Sequence, residues 1–169
     1  FSNSSSGSFC DSWIWEATAS GAGNDNITAT RTSGGSTFGH AASIWRNHDG
    51  TGATATGTST TKTVSLTRSA DDSAAMYAAG DFSGSSAAAT FTPAEGVFIY
   101  AQGDGSALGS HHGVWEDQGA AGATSYGVTS SSTGSFAKCA IDILASAGGE
   151  FTGSVALNAT STVTAAGNM

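Results

Sequence analysis

Charge is scarce in this 169-residue chain: Lys and Arg number five against 13 Asp and Glu, for a net charge of −8. The five cations, Arg31, Arg46, Lys62, Arg68 and Lys138, are scattered. No basic stripe exists to neutralise a phosphate backbone or an anionic bilayer, so neither nucleic acid nor membrane is expected as a partner. Long apolar runs are missing too, and no segment approaches the roughly 20 residues of a membrane span. Phe1 follows no signal-peptide pattern and leaves the true N-terminus unassigned. A mild acidic excess with few lysines fits a protein kept soluble outside cells.

Large aliphatic and aromatic residues are the next shortage. Leu, Ile, Val and Phe total 24, while Gly, Ala, Ser and Thr fill 103 positions. Small side chains bury little apolar area each, which excludes a large aliphatic core. They also lose little rotamer entropy on folding and suit thin, stacked β layers. Disorder is disfavoured because only 11% of residues are charged and four Trp, eight Phe and three Tyr sit inside alternating segments. The chain is expected to be one lightly cored domain, aided by assembly with neighbouring subunits.

Chemistry-bearing motifs are equally sparse. No Gly-x-Ser-x-Gly elbow is followed by an ordered acid and histidine, and no Walker or Rossmann glycine pattern joins a strand to a helix. No catalytic residue and no cofactor is expected. Cys10 and Cys139 are the only cysteines, and their spacing fits no zinc motif. A disulfide between them is one reading and two separate buried thiols the other. The segment Gly21-Ala22-Gly23-Asn24-Asp25-Asn26-Ile27 resembles one copy of a calcium-binding nonapeptide repeat. Such sites need stacked copies, so an Asx-rich turn is preferred, with Asn24, Asp25 and Asn26 as weak calcium ligands.

What is present reads as strands. Residues 1–8 are Ser/Gly-rich and expected as a flexible arm, 9–157 as the β domain, and 158–169 as a last strand or tail. Trp13, Trp15 and Ala17 alternate with Ser12, Ile14 and Glu16, a period-two pattern, and Thr63–Thr67, Ser110–Glu116, Thr124–Thr129, Phe136–Ala145 and Phe151–Leu157 read as further strands. Ile27–Arg31 and Thr37–Arg46 are further strands, followed by a turn at Asn47-His48-Asp49-Gly50 and an exposed loop or sheet edge over Thr51–Thr60. Ser69–Gly80 has a helix-capping signal. However, Met76-Tyr77-Ala78-Ala79-Gly80-Asp81 parallels Ile99-Tyr100-Ala101-Gln102-Gly103-Asp104, which favours strands running into similar turns. About ten short strands with turn signals between them predict an all-β, antiparallel, jelly-roll-like sandwich with little or no helix.

Two clusters offer contact chemistry. His111-His112-Gly113-Val114-Trp115-Glu116-Asp117 puts His111 and Trp115 on one face of a strand and His112, Val114 and Glu116 on the other. Adjacent carboxylates Glu116 and Asp117 point oppositely and cannot flank one glycosidic bond. Trp13, Trp15, Trp45 and Trp115, with His111 and His112, are expected as core, subunit interface or a glycan-stacking patch. For Trp13 and Trp15, core or interface is preferred. Three sequons, at Asn3, Asn26 and Asn158, matter only in a eukaryotic secreted protein.

The stretches Ile44-Trp45-Arg46-Asn47-His48-Asp49-Gly50-Thr51-Gly52, Val64-Ser65-Leu66-Thr67 with Ala70–Ala75, Gly113–Gly122 and Tyr126-Gly127-Val128 leading to Ala140–Leu144 carry a likeness of pattern and order. Over that block the chain resembles a β-sandwich domain of virion structural proteins of tailed bacteriophages, notably those infecting actinobacteria. The resemblance implies a capsid-decoration or tail-associated role and assembly into homo-oligomers with other virion proteins, and it carries over no catalytic residue. Two other functions are weighed: a glycan-binding module on a virion or secreted protein that contacts host-surface glycans, and a self-assembling extracellular filament or surface-layer subunit.

Overall fold

A computed structural model describes residues 2–6, 11–18, 43, 45–46, 48–81, 90–94, 97–103, 109–116, 119–129 and 136–146; at 2–6, 11, 81, 97–103 and 109–110 it describes the backbone alone. Cys10, Asn24, Asp25, Asn26, Asp117, the expected strands at 27–31 and 151–157, most of the one expected at 37–46 and the tail at 158–169 lie outside these residues.

Ten strands are described: β1 (Ser2–Ser6), β2 (Asp11–Trp15), β3 (His48–Ser59), β4 (Thr63–Arg68), β5 (Ala74–Asp81), β6 (Thr90–Thr92), β7 (Val97–Gly103), β8 (Gly109–Trp115), β9 (Gly122–Thr129) and β10 (Phe136–Ala145). No helix occurs among the described residues. The strands form a five-stranded sheet ordered β3-β10-β5-β8-β7, a three-stranded sheet ordered β4-β9-β6 and the two-stranded β1-β2 ribbon. Every pairing is antiparallel. The sheets pack on one another as a β-sandwich, as the alternating segments predict.

The core between the sheets is small in aliphatics and rich in rings. Val64 and Leu66 of β4 and Tyr126 and Val128 of β9 meet Ala75, Tyr77 and Ala79 of β5, Trp115 of β8, and Phe136 and Ala140 of β10. Trp115 is fully buried and stands edge-on to Tyr77, Phe91 and Tyr126, with centroids 6.4, 5.4 and 5.0 Å away. Its indole N–H donates to Pro93 O at 2.9 Å, so burial leaves no orphan donor. Alanines on β5 and β10 keep the layers thin enough for these rings to reach across.

The other face of the five-stranded sheet is covered by the β1-β2 ribbon. Ile14 of β2 packs on Ala78, Cys139 and Ile141, with Met76 alongside, which makes the molecule three layers thick at that point. The Ser-rich start therefore differs from the flexible arm expected: Ser2–Ser6 pairs along the whole of β2, from Ser2 opposite Trp15 to Ser6 opposite Asp11.

One further expectation needs correction. Where a turn is expected up to Gly50, strand β3 already begins at His48. Thr51–Ser59, expected as an exposed loop or sheet edge, continues it as the end strand of the described five-stranded sheet, the edge alternative. The Asp49-Gly50 signal marks a β-bulge instead: β10 advances two residues from Ile143 to Ala145 while β3 advances three from Thr51 to His48, and Gly50 takes φ 91°. The helix-capping signal at Ser69 is satisfied differently, by β10, and residues 74–81 are strand β5. The paired motifs at 76 and 99 fall in β5 and β7, which flank β8 on its two sides.

Candidate functional site

Polar groups buried in the sandwich are best followed from β10. Between Ile141 and Ile143 this strand faces a second bulge of β3 at Gly52–Ala53, and Asp142 sits opposite it, fully buried. Asp142 Oδ2 accepts from Ser69 N at 2.8 Å and Ser69 Oγ at 2.7 Å, while Oδ1 is buried without a hydrogen bond. A Cβ at Gly52 would meet Ser69 Oγ at 2.5 Å and Asp142 Oδ2 at 2.7 Å, so glycine makes room for the pair. Sequence reading missed this tie. Its signal was an aspartate inside the otherwise apolar run Ala140–Leu144.

Arg68, next in the chain, closes the same end of the sandwich. Its guanidinium donates to Gly119 O at 3.2 Å and Ala120 O at 2.5 Å. Asp72 N also donates to Gly119 O, at 2.7 Å, and Asp71 Oδ1 accepts from Ala121 N at 2.6 Å. Burial pushes the Tyr126 phenol above its ordinary value, although the Arg68 charge and hydrogen bonds to Thr124 and Arg68 pull the other way. Toward the opposite end of β10, Lys138 Nζ donates to Ser59 Oγ at 2.6 Å and to Thr61 O. Burial pulls its ammonium below the usual lysine range. Asp142 thus ties β10 to the end of β4, Arg68 ties β4 to the loop before β9, and Lys138 ties β10 to β3 and the loop after it. Asp142 and Arg68 both act on Tyr126, and Lys138 bonds at the other end of the strand.

The histidine and tryptophan candidates separate. His111 and Trp115 do share a face, the one between the sheets: His111 stacks on Phe136 at 5.9 Å, and Lys62 Nζ lies 5.6 Å from the same ring. His112 is buried on the other face of β8. Trp45 is half-buried, its indole N–H donating to Ser43 Oγ at 2.8 Å. A contact patch built from His111, His112 and Trp115 is thereby excluded, because the two sheets enclose His111 and Trp115 and His112 is also shielded from solvent. Glu116 is half-buried, and among the described residues no three His, Cys, Asp or Glu gather as a metal cluster.

Trp13 and Trp15 go the opposite way. Of the two placements expected for them, core or subunit interface, the core is not where they lie: in β2 it is Ser12 and Ile14 that face the sheet. Trp13 is 46% exposed and Trp15 66%; their rings lie 7° from parallel with centroids 6.1 Å apart. Beside them, Glu16 Oε2 accepts from Thr51 Oγ1 at 3.3 Å, linking the ribbon to β3.

Cys139 is a free, buried thiol; Cys10, its partner in the disulfide reading, lies outside the described residues. The Cys139 thiol lies under the ribbon, 3.4 Å from Ser12 Oγ, and burial pushes it up to about 11. A thiol so protonated is a poor nucleophile at neutral pH.

The chain matches no known protein family, no curated protein and no solved structure.

Proposed function

We propose that this chain is a non-enzymatic structural subunit of an assembled particle, a virion protein of the tailed-phage kind that its sequence pattern resembles. It would act outside cells, in contact with copies of itself and with other virion proteins. The observation that supports this reading is where the ionic groups go. Asp142, Arg68 and Lys138 are each buried and hydrogen-bonded, to Ser69, to the Gly119 and Ala120 carbonyls and to Ser59, so that these ionic groups serve the fold. Apart from Asp49, the exposed positions of β3 and β4 are Thr and Ser, a largely uncharged surface suited to shape-based contacts. A fold alone names no function, so the reading rests on this disposition together with the sequence resemblance.

Sedimentation and thermal melting over a hundredfold concentration range test the proposal. Reversible association and a Tm that rises with concentration are expected, because partners that bind only the folded chain stabilise it by mass action. A monomer at every concentration, melting above about 70 °C without partners, would overturn it.

A further inference from the structure

We propose that Trp13 and Trp15 form a binding platform for a neutral saccharide on the outer face of the β1-β2 ribbon. Four features of the molecule converge on this assignment, and it goes beyond the assembly reading without depending on it.

The first is placement. In a chain so short of large residues, Tyr77, Trp115, Tyr126 and Phe136 are fully buried, yet the ribbon holds two indoles in solvent. Trp13 and Trp15 are the exposed large hydrophobic side chains of the described molecule. Core packing does not explain them, since Ile14 and Ser12 already fill the inner face of β2.

The second is geometry. Nearly parallel rings on alternate residues of one strand present a repeating aromatic surface, which the C–H face of a pyranose can cover. The third is preorganisation. Ile14 is clamped between β5 and β10, and Glu16 is held to Thr51, so the strand that carries both rings is fixed on each side of Trp15. Backbone register also sets serine positions directly across from the rings, Ser4 opposite Trp13 and Ser2 opposite Trp15.

Size and charge, the fourth, then select the occupant. At 46% and 66% exposure the two indoles offer roughly 300 Å². A standard protein interface needs about 800 Å² per partner, so the pair is too small to hold a second copy by itself. It suits one or two sugar rings. The net charge of −8 and the neighbouring Glu16 oppose sialylated or sulfated ligands, leaving neutral saccharides.

The test is a glycan array carrying neutral and anionic oligosaccharides, followed by calorimetry on the best neutral hit with the full chain. Binding to neutral saccharides is expected, weakened at least about tenfold by Trp13→Ala or Trp15→Ala and abolished in the double variant. Trp13→Tyr should retain part of it. Should the double variant fail to fold by circular dichroism, N-bromosuccinimide oxidation of the wild-type chain decides: the hit must protect the two exposed indoles. The proposal falls if no neutral saccharide binds, if only anionic ones do, if binding survives loss of both rings, or if the double variant instead dissociates an oligomer.

Discussion

Ser12 Oγ and Cys139 Sγ lie 3.4 Å apart across a sequence separation of 127 residues, pinning the N-terminal ribbon to the central strand β10. A Ser12→Cys change in a Cys10→Ser background should therefore crosslink to Cys139 when the chain is refolded with an oxidised/reduced glutathione couple, which lets the pair form before burial protects the Cys139 thiol. Closing so long a loop restricts the unfolded chain by about 5 kcal/mol on the entropy model, an upper figure because ribbon geometry absorbs part of it. A Tm rise of several degrees and loss of both free thiols in a thiol titration are expected. Two free thiols after that refolding would show that the ribbon does not rest here.

The same cysteine makes stability fall at high pH. Burial favours the protonated thiol, so the folded state binds its proton more tightly than the unfolded chain, whose thiol titrates near 8.5. The sign follows: Cys139's favourable contribution is complete below about pH 8.5 and declines as pH climbs toward about 11. Lys138 works in the opposite sense, because its folded value is lowered and the unfolded chain holds that proton more tightly. Comparing urea midpoints of the Cys10→Ser chain with those of Cys10→Ser/Cys139→Ala isolates the cysteine. The difference between the two must shrink across this window, and a pH-independent difference would contradict the burial.

Asp142 and Ser69 should behave as one unit. Asp142→Ala strands the Ser69 donors and is expected to cost roughly 1–3 kcal/mol, the range for buried groups left unpaired. Ser69→Ala should cost less, and the double variant less than the sum, with a coupling of about 0.5–3 kcal/mol. Additive losses in denaturant unfolding would mean the two do not interact. Gly52→Ala should mimic Asp142→Ala, since its methyl would occupy the space of both partners.

Gly127 tests the seam between β9 and β4. A Cβ there would run into the Lys62 carbonyl and come within 2.7 Å of Thr63 Cα, backbone atoms that cannot rotate away. Gly127→Ala is expected to destabilise by roughly 3 kcal/mol or to yield insoluble protein. Gly119→Ala offers a contrast: nothing lies within 4 Å of its Cβ, and its φ of 65° makes the cost conformational only, about 1 kcal/mol. Equal midpoints for the two variants would refute the packing at the seam.

Alternation in the sequence carried most of the sandwich. Thr63–Thr67, Phe136–Ala145 and the Ser110–Glu116 region are strands, and the face shared by His111 and Trp115 follows directly from period two. Which of two faces turns inward was less legible. In β2 the large indoles look like the core face by hydrophobicity, but the inner side opens onto Ala78 and Cys139, a shallow space that Ile14 fits. The strand β3 was hidden for a related reason. Its Ala53, Ala55 and Gly57 do alternate with exposed Thr54, Thr56 and Thr58, but the contrast is faint, because its inner residues are kept small. Gly52 must clear the Asp142–Ser69 pair, and a Cβ at Gly57 would lie 3.3 Å from Lys138. Charged residues inside β10 were invisible as core, since their partners lie 77 to 79 residues away for Lys138 and 73 for Asp142.

Strand β10 is covered on both sides, by the ribbon and by the three-stranded sheet, and its residues from Phe136 to Ile143 are all buried. Its alternation therefore separates two interiors rather than an inside from an outside. Variation in such a strand has no permissive side: the edge of tolerance runs along the chain, at Phe136 and Leu144, instead of flipping with each residue. A saturation library of this protein would record β10 as an unbroken block of intolerance, approached by its neighbour β5 and unlike the striped pattern of β4. That block would identify the middle layer of the fold without reference to any structure.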